Sequence, residues 1–302
     1  MTMAPGDLAR AAGHIQFGDF LIGPGTPVRW KGVAGWEETP GVDSGTVPRS
    51  SAHGAFPGAL LAQPRTITVN DLVLRTEPGA MSAAVRALAA AHALRDDELP
   101  LAIKLDDGPA LMCWARCLRY SVPVASGYRI GVAEGGALLF EATDPRRYSL
   151  VEQRVEARLP RPEPGLDWHL DPGPEGLVWP LDFGPPGSTG GMTATNEGDA
   201  PVSPLIEFRG PVDRPSLTNI TTGDVIEYDI VLDAADVLTV DTSAGTVLLN
   251  GTTSRLGTVT GRSVPESVFT LLPGTSTLAY RAAPGSSDPR SSVALIFRSA
   301  YW

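Results

Sequence analysis

The sequence predicts a mainly β protein that has two domains and one α-helix. Its 302 residues, of which 42% are hydrophobic, are enough for two cores of ordinary domain size. The 33 glycines and 28 prolines punctuate short apolar runs, which is typical of strands joined by turns. A single Ala-rich segment breaks this pattern and predicts the helix.

In the first half, predicted strands alternate with one helix and one long excursion. The strand runs are "HIQFGDFLI", "RTITVNDLVLR", "LPLAIKLD", "ALMCWARCLRYSVPV" and "GALLFEATDPRRYSL". "GAMSAAVRALAAAHALRDDELP" places Met81 and Leu88 at helical spacing and stops before Pro100, so we expect a helix near 80–94. Residues 32–58 are rich in Gly, Pro and Ser, and an exposed loop of that length usually has a function or is disordered.

A Pro-rich stretch, "RLPRPEPG", coincides with a change in charge. Residues 1–165 carry 17 basic and 18 acidic side chains, net −1, whereas 166–302 carry 7 and 16, net −9. The sequence therefore predicts a first domain at 1–165, a Pro/Gly-rich linker at 166–176 and a second domain at 177–302. Because the second half would repel phosphate backbones, nucleic-acid binding is not expected.

The second half reads as short strands with turns between them and without a helix, which indicates a sandwich or a barrel. In "VIEYDIV", Ile226, Tyr228 and Ile230 share one face. Glu227 and Asp229 share the other. This alternation predicts a half-buried strand with both carboxylates on the solvated side.

Residues 240–251, "VDTSAGTVLLNG", have the pattern of a β-hairpin that leads into another turn. Asp241 begins the first turn, and Asp beside Ser and Gly favours turns through side-chain hydrogen bonds to nearby backbone. We therefore interpret Asp241 as a turn residue and not as a catalytic group.

The visible carboxylate pairs, Glu227 with Asp229 and Asp106 with Asp107, are the first candidates for catalysis. A glycosidase needs two carboxylates across a cleft with different pKa values, and a pair on the solvated side of one strand does not meet that need. The sequence also lacks the G-x-S-x-G and Walker motifs. We expect no enzyme activity, no catalytic residues and no cofactor.

Two cysteines, Cys113 and Cys117 in "CWARC", are too few for a disulfide framework. A zinc site would need a second close pair of ligands. The four histidines are scattered along the chain: His14, His53, His92 and His169. We therefore expect no metal and interpret the cysteines as buried strand thiols, and His92, near the predicted helix end, as a capping or surface residue.

No stretch approaches the roughly 18 apolar residues of a membrane helix. The first thirty residues lack the basic-then-apolar order of a signal peptide. We therefore expect a protein made in a cytoplasm, without export by a signal peptide and without membrane insertion.

The order of motifs in the second half resembles that of a known family. "NEGDAPVSPLIEFRGPVDRPSLTNITTG", "VLTVDTSAGTVLLNGTTSR", "FTLLPGTSTLAYRA" and "VALIFRSAYW" follow one another across residues 196–302 as in the C-terminal part of siphovirus distal tail proteins. The first half is similar to the N-terminal domain of that family in its opening strand, the loop with "PRSSAHGAFPG", the "RTITVNDLVLR" strand, the helix and "FEATDPRRYSL". The resemblance covers nearly the whole chain.

The resemblance implies a fold and a role. Residues 1–165 would be a ring-forming, β-barrel-like domain with one helix, related to tail-tube proteins, and 177–302 a galectin-like β-sandwich. Distal tail proteins form a homo-hexameric ring at the end of the tail tube and join it to tape-measure, tail-tip or baseplate, and receptor-binding components. The chain would then be a structural virion protein at the tail tip, and the family offers no catalytic residues to transfer.

Two alternatives stay open at this point. A glycan-binding adhesin or receptor-binding tail protein would use the C-terminal sandwich against a host-surface glycan, with exposed aromatic side chains as platforms; Trp168 and Trp179, however, lie in or near the linker. A glycosidase or peptidoglycan hydrolase would need the cleft carboxylates that the pattern does not provide. The sequence assigns no binding residues.

Overall fold

The computed structural model describes residues 4–161 and 187–302. Contacts within the chain divide it into two compact units. Residues 1–150 and 300–302 form unit 1, and residues 151–299 form unit 2. The chain thus leaves unit 1 once and returns to it for its last three residues.

This division falls at a different residue from the predicted first-domain end at 165. The reason is the strand Gln153–Arg158, which pairs with Ser292–Phe297 of unit 2 along its whole length. A six-residue ladder with the second half of the chain holds this segment in unit 2 although it precedes the Pro-rich stretch. The linker predicted at 166–176 lies outside the described residues and stays a prediction.

Unit 1 contains one α-helix, one 3₁₀-helix and fourteen strands among its described residues. The helices are α1 Met81–Ala91 and the 3₁₀-helix Ser126–Ile130. The strands are β1 His14–Phe17, β2 Phe20–Ile22, β3 Val28–Arg29, β4 Gly32–Ala34, β5 Val42–Asp43, β6 Val47–Pro48, β7 Ala55–Phe56, β8 Leu61–Ala62, β9 Arg65–Arg75, β10 Leu99–Lys104, β11 Leu111–Ser121, β12 Val132–Ala142, β13 Arg147–Ser149 and β26 Ala300–Tyr301.

The main sheet of unit 1 is antiparallel and barrel-like, in the order β2-β1-β10-β11-β12-β9-β3. β4 also pairs with β9, and β13 joins β11 to β26. The long strands alternate between the core and the outer face, as Ile67 and Val69 of β9 and Phe140 of β12 show by being completely buried. The core that they form with α1 is one contiguous apolar cluster.

Helix α1 packs on this core through two residues seven positions apart, Met81 and Leu88. Its alanine content favours helix formation because alanine loses no side-chain entropy. The helix ends at His92, whose backbone N–H and Nδ1 both bond to the Leu88 carbonyl oxygen. Of the two roles expected for His92, the capping role is confirmed by these bonds, and the surface role is wrong because the side chain is 2% exposed.

The His92 ring lies among aromatic side chains of the core. It stacks on Phe17 with a ring-centre distance of 5.3 Å and meets the edge of Phe20 at 5.5 Å. Burial lowers the pKa of His92 below its ordinary value of 6.5, because the charged form would lose its hydration. The imidazole ring of His92 is therefore neutral in the folded state.

Unit 2 contains the remaining strands and two 3₁₀-helices. The strands are β14 Gln153–Arg158, β15 Gly191–Asn196, β16 Leu205–Arg209, β17 Val212–Asp213, β18 Ser216–Asn219, β19 Val225–Glu227, β20 Val231–Leu232, β21 Val237–Asp241, β22 Thr246–Leu249, β23 Thr253–Ser254, β24 Gly274–Arg281 and β25 Ser292–Phe297. The 3₁₀-helices are Leu256–Thr258 and Glu266–Val268.

Unit 2 is a β-sandwich. One sheet has the order β14-β25-β16-β21-β22-β23 and the other β15-β24-β18-β19, with β17 and β20 as a separate pair. Its core includes three aromatic rings: Phe208 lies 6.3 Å from Tyr228 and 6.0 Å from Tyr280 between ring centres. Each buried tyrosine hydroxyl has a partner, since Tyr228 donates to Glu266 and Tyr280 pairs with Ser291.

The predicted fold class, mainly β with a barrel-like first part, one α-helix and a sandwich, is confirmed. None of the helices in the described ranges has the length and apolar character needed to cross a membrane.

Acidification should destabilise the fold through His92. The unfolded chain takes up a proton as the pH falls below about 6.5, whereas the folded chain, with its lowered pKa, does not. The free energy of unfolding should therefore fall between pH 7 and pH 5, and the His92→Gln variant should show a shallower fall than the parent. Urea unfolding at several pH values measures this, with Arg86→Gln at an exposed position of the same helix as the control. Equal slopes for His92→Gln and the parent would contradict it.

Candidate functional site

Residues 42–62 form a two-stranded extension of unit 1, which we call the arm. Val42 lies opposite Ala62 in the β5–β8 pair, and Val47 lies opposite Phe56 in the β6–β7 pair. These pairs form two small sheets separate from the main sheet. Because a two-stranded ribbon alone is marginally stable in water, the arm depends on support at its root or from outside the chain.

The arm is apolar as well as exposed. Phe56, Leu60 and Leu61 are 59%, 73% and 63% accessible. Arg49 places its guanidinium 4.8 Å from the centre of the Phe56 ring, and the sequence has no other Lys or Arg between 42 and 62. Several large apolar side chains exposed within one short segment are a candidate interaction site.

A buried arginine fixes the root of the arm. Arg65, the first residue of β9, is 1% exposed, and its Nη1 donates to the carbonyl oxygens of Gly35, Trp36 and Glu38 at 2.8, 3.1 and 2.7 Å. Its Nε donates to the Pro145 carbonyl at 2.7 Å. Four backbone carbonyl oxygens on two segments thus accept hydrogen bonds from one guanidinium. Burial lowers the pKa of this guanidinium below its ordinary value.

A second arginine extends this contact to the end of the chain. Arg147 of β13 pairs with Glu37 at 3.0 Å, lies 5.7 Å from the Trp36 ring centre and donates to the Trp302 carbonyl oxygen. Trp36 itself is buried. We call Arg65, Arg147 and residues 35–38 the root clamp.

The turn that starts the root clamp needs glycine. Gly35 has a φ of +79°, and a Cβ there would collide with the Thr66 carbonyl oxygen. Its N–H bonds to the Glu38 carboxylate at 3.1 Å. The chain therefore turns sharply at Gly35 and leaves the sheet toward the arm.

The structure corrects one prediction about the carboxylates. Glu227 was expected on the solvated side of its strand, and it is 7% exposed instead. The segment 260–263 covers that face: Thr260 Oγ1 donates to Glu227 at 2.9 Å and Arg262 pairs with it at 3.0 Å. A carboxylate with both oxygens held by such partners has a structural role.

Asp229 lies on the solvated side, as expected. Asp229 is exposed and pairs with Arg214 at 2.9 Å. Asp106 accepts the Gly108 N–H at 2.7 Å within a turn, and neighbouring Asp107 is exposed. Asp229 and Glu227 point to different surroundings, so the structure brings together no carboxylate pair of the glycosidase kind from these candidates.

Asp241 is a turn residue, as predicted. Its Oδ1 accepts the Ser243 N–H at 2.9 Å, the Ser243 hydroxyl at 2.6 Å and the Ala244 N–H at 3.0 Å. These bonds close the hairpin between β21 and β22, which pair over four residues.

Both cysteines are buried free thiols, as predicted. Burial raises the pKa of Cys113 to about 12, so this thiol stays protonated and unreactive. Within 4–161 and 187–302, no three His, Cys, Asp or Glu side chains lie in an arrangement that would hold a metal. His169 and the tryptophans Trp168 and Trp179 lie outside the described residues.

The sequence patterns predicted the arm only in part. The predicted exposure of the 32–58 excursion is confirmed at its tip. Its strands were missed because each is two residues long, too short for a period-of-two pattern. The apolar residues between its glycines and prolines were the available signal.

Replacing Arg65 with Met should loosen the arm root. The change strands four carbonyl oxygens in a buried place, so we expect a loss of about 3 kcal/mol in the free energy of unfolding. Limited proteolysis should also cut faster within 35–62. Denaturant unfolding measures the first effect, with the exposed helix residue Arg86→Met as control; similar small losses for both variants would refute the role given to Arg65.

Replacing Asp241 with Asn should cost less than about 1 kcal/mol, because Asn keeps the acceptor oxygen that the turn uses. Asp241→Ala, which removes the acceptor from three donors, should cost more. Melting temperatures of the two variants give the comparison. A larger loss with Asn than with Ala would show that the charge, and not the turn bonding, matters.

Comparison with known proteins gives a consistent result. Residues 197–301 match the family model for the siphovirus-type tail component, C-terminal domain. A search of curated proteins found no match. Among solved structures, the Dit protein of phage SPP1, described as a paradigm of the hub adsorption apparatus in phages that infect Gram-positive bacteria, is 12% identical with a TM-score of 0.62. That match covers 94% of this chain and 98% of the SPP1 protein.

A chain from the phage P2 baseplate in its activated, Ca-bound conformation is 8% identical with a TM-score of 0.48, and 91% of each chain is covered. The SPP1 match extends the fold likeness beyond the residues of the family model to both units. Residues 197–301 therefore resemble the C-terminal domain of the siphovirus-type tail component, and they lie within a fold similar to that of the SPP1 Dit protein.

Proposed function

We propose that this chain is a distal tail hub protein of a siphovirus virion. In this role it joins the tail tube and the tape-measure protein to the tail-tip or baseplate and receptor-binding components. The match of residues 197–301 to the siphovirus-type tail component family carries the proposal. The fold shared with the SPP1 hub protein over 94% of the chain supports it.

The hub assembles as a homo-hexameric ring through unit 1. Charge supports this choice, because residues 1–165 carry net −1 whereas 166–302 carry net −9. Six strongly acidic domains in a closed interface would repel one another, while on a solvated periphery the repulsion is screened. The arm adds an apolar surface that a neighbouring copy can cover.

The proposed role is structural and involves no catalysis. Glu227 is held by Thr260 and Arg262, and Asp241 closes a turn, so neither carboxylate is positioned for a substrate. A galectin-like sandwich that binds a host glycan stays a prediction for unit 2. The alternative, a glycan-binding adhesin, would explain the sandwich of unit 2 but not the apolar arm of unit 1.

The mass of the full-length chain in solution tests the ring. Size-exclusion chromatography with light scattering should give six times the 31.7-kDa chain mass. The double variant Phe56→Asp with Leu61→Asp should lower the mass to that of smaller species, because charges on the arm oppose burial. Val231→Asp, at a 68% exposed site in unit 2, is the matched control and should stay hexameric. A parent chain that is monomeric at every concentration would contradict the proposal.

A further inference from the structure

The root clamp contains two buried N–H groups that have no acceptor among the residues that the structure describes. They are Nη2 of Arg65 and Nε of Arg147. The two residues are 1% and 8% exposed, so bulk water does not reach these nitrogens. Nearly all buried polar groups in folded proteins have a partner, and a donor without one in the chain calls for a bound water or ion.

The two guanidinium groups are neighbours. Arg65 Nη1 donates to the Trp36 carbonyl oxygen, and Arg147 lies 5.7 Å from the centre of the Trp36 ring. Arg65 Nε donates to the carbonyl oxygen of Pro145, two residues before Arg147 in the chain. Burial is the main cause that lowers the pKa of Arg65, and repulsion from the Arg147 charge is the next. Two like charges therefore lie close together in a buried place.

The contacts of Arg65 leave its positive charge incompletely balanced. Its four hydrogen bonds all go to carbonyl groups, whereas Arg147 forms an ion pair with Glu37 at 3.0 Å. The Glu38 carboxylate bonds to the Gly35 N–H. Both glutamates are exposed, so water weakens their attraction for a buried guanidinium. Because buried charges in proteins are normally paired with an opposite charge, a negative ion is expected beside Arg65.

The unpartnered groups define the chemical class of the ligand. Both are donors, so the ligand must accept hydrogen bonds, and the excess positive charge favours an anion over water. Because both arginines are buried, the ion must be small. Guanidinium groups are weakly hydrated and pair well with weakly hydrated anions, such as the halides chloride and bromide.

We infer that the root clamp binds one halide ion, chloride in ordinary buffers, between Arg65 Nη2 and Arg147 Nε. The ion accepts a hydrogen bond from each arginine and balances the charge that the carbonyl groups leave. Because unfolding separates the two arginines, the ion binds the folded state preferentially and stabilises it by mass action. The inference concerns unit 1 of a single copy and is independent of the proposed hub function.

Thermal unfolding of the full-length chain in two sodium salts tests the site. Chloride can enter a small buried site, whereas gluconate at the same ionic strength is too large. At about 0.15 M salt, the melting temperature of the parent should be about 3 °C higher in chloride than in gluconate. Equal melting temperatures in the two salts would overturn the inference.

Two arginine variants separate this site from general effects of salt. Arg147→Lys keeps a positive charge for Glu37 but removes the Nε donor, so it should lose most of the chloride increment. The matched control is Arg116→Lys, at an ion pair with Glu141 elsewhere in unit 1, and it should keep the increment of the parent. An Arg147→Lys variant with the full increment would show that chloride acts elsewhere and would reject the site.

Bromide in crystals of the parent chain gives a measurement that needs no variant to fold. Bromide replaces chloride and has an anomalous X-ray signal, so a peak is expected within hydrogen-bonding distance of both Arg65 Nη2 and Arg147 Nε. Peaks at the protein surface alone would indicate an adventitious ion only. Electron density between the two nitrogens without an anomalous signal would indicate water. Either result would overturn the inference.

Discussion

The hydrogen bonds of the buried Arg65 guanidinium are the constraint on which the candidate interaction surface depends. They bind the carbonyl oxygens of Gly35, Trp36 and Glu38, in the segment that leads into the arm, and that of Pro145, which precedes β13. Burying a charge is costly unless it is hydrogen-bonded, and among the described residues the Nε and Nη1 groups of Arg65 have acceptors whereas the buried Nη2 has none. The contact therefore needs the four carbonyl groups in this one arrangement. The arm is too small to be stable alone, and the root clamp supports it where it joins unit 1.

The root clamp also explains why the last residues of the chain belong to unit 1. β26 pairs with β13, and Arg147 of β13 reaches both Glu37 and the Trp302 carbonyl oxygen. The segment before the arm and the end of the chain therefore both contact Arg147. These contacts link the segment that leads into the exposed, apolar arm to strands of the barrel-like sheet.

Much of the fold could be predicted from the sequence, because helical spacing at Met81 and Leu88 and the turn chemistry of Asp241 are local signals. The surroundings of Glu227 could not be predicted. Alternation along a strand shows which side chains share a face, but it does not show which loop covers that face. Arg65 likewise looks like a charge at a strand end, and its burial follows from carbonyl groups at residues 35–38 and 145. The pairing of β14 with β25 joins residues far apart in sequence, which is why the unit boundary differs from the predicted one.

In the proposed tail hub, unit 1 is the assembling part, the arm is covered by a neighbouring copy, and the acidic unit 2 lies outside the closed interface. Cryo-electron microscopy of the assembled full-length chain tests this claim most directly. The account predicts a six-fold ring in which residues 42–62 of each copy are buried against the next copy. A ring held together by unit 2, with the arm in solvent, would contradict it.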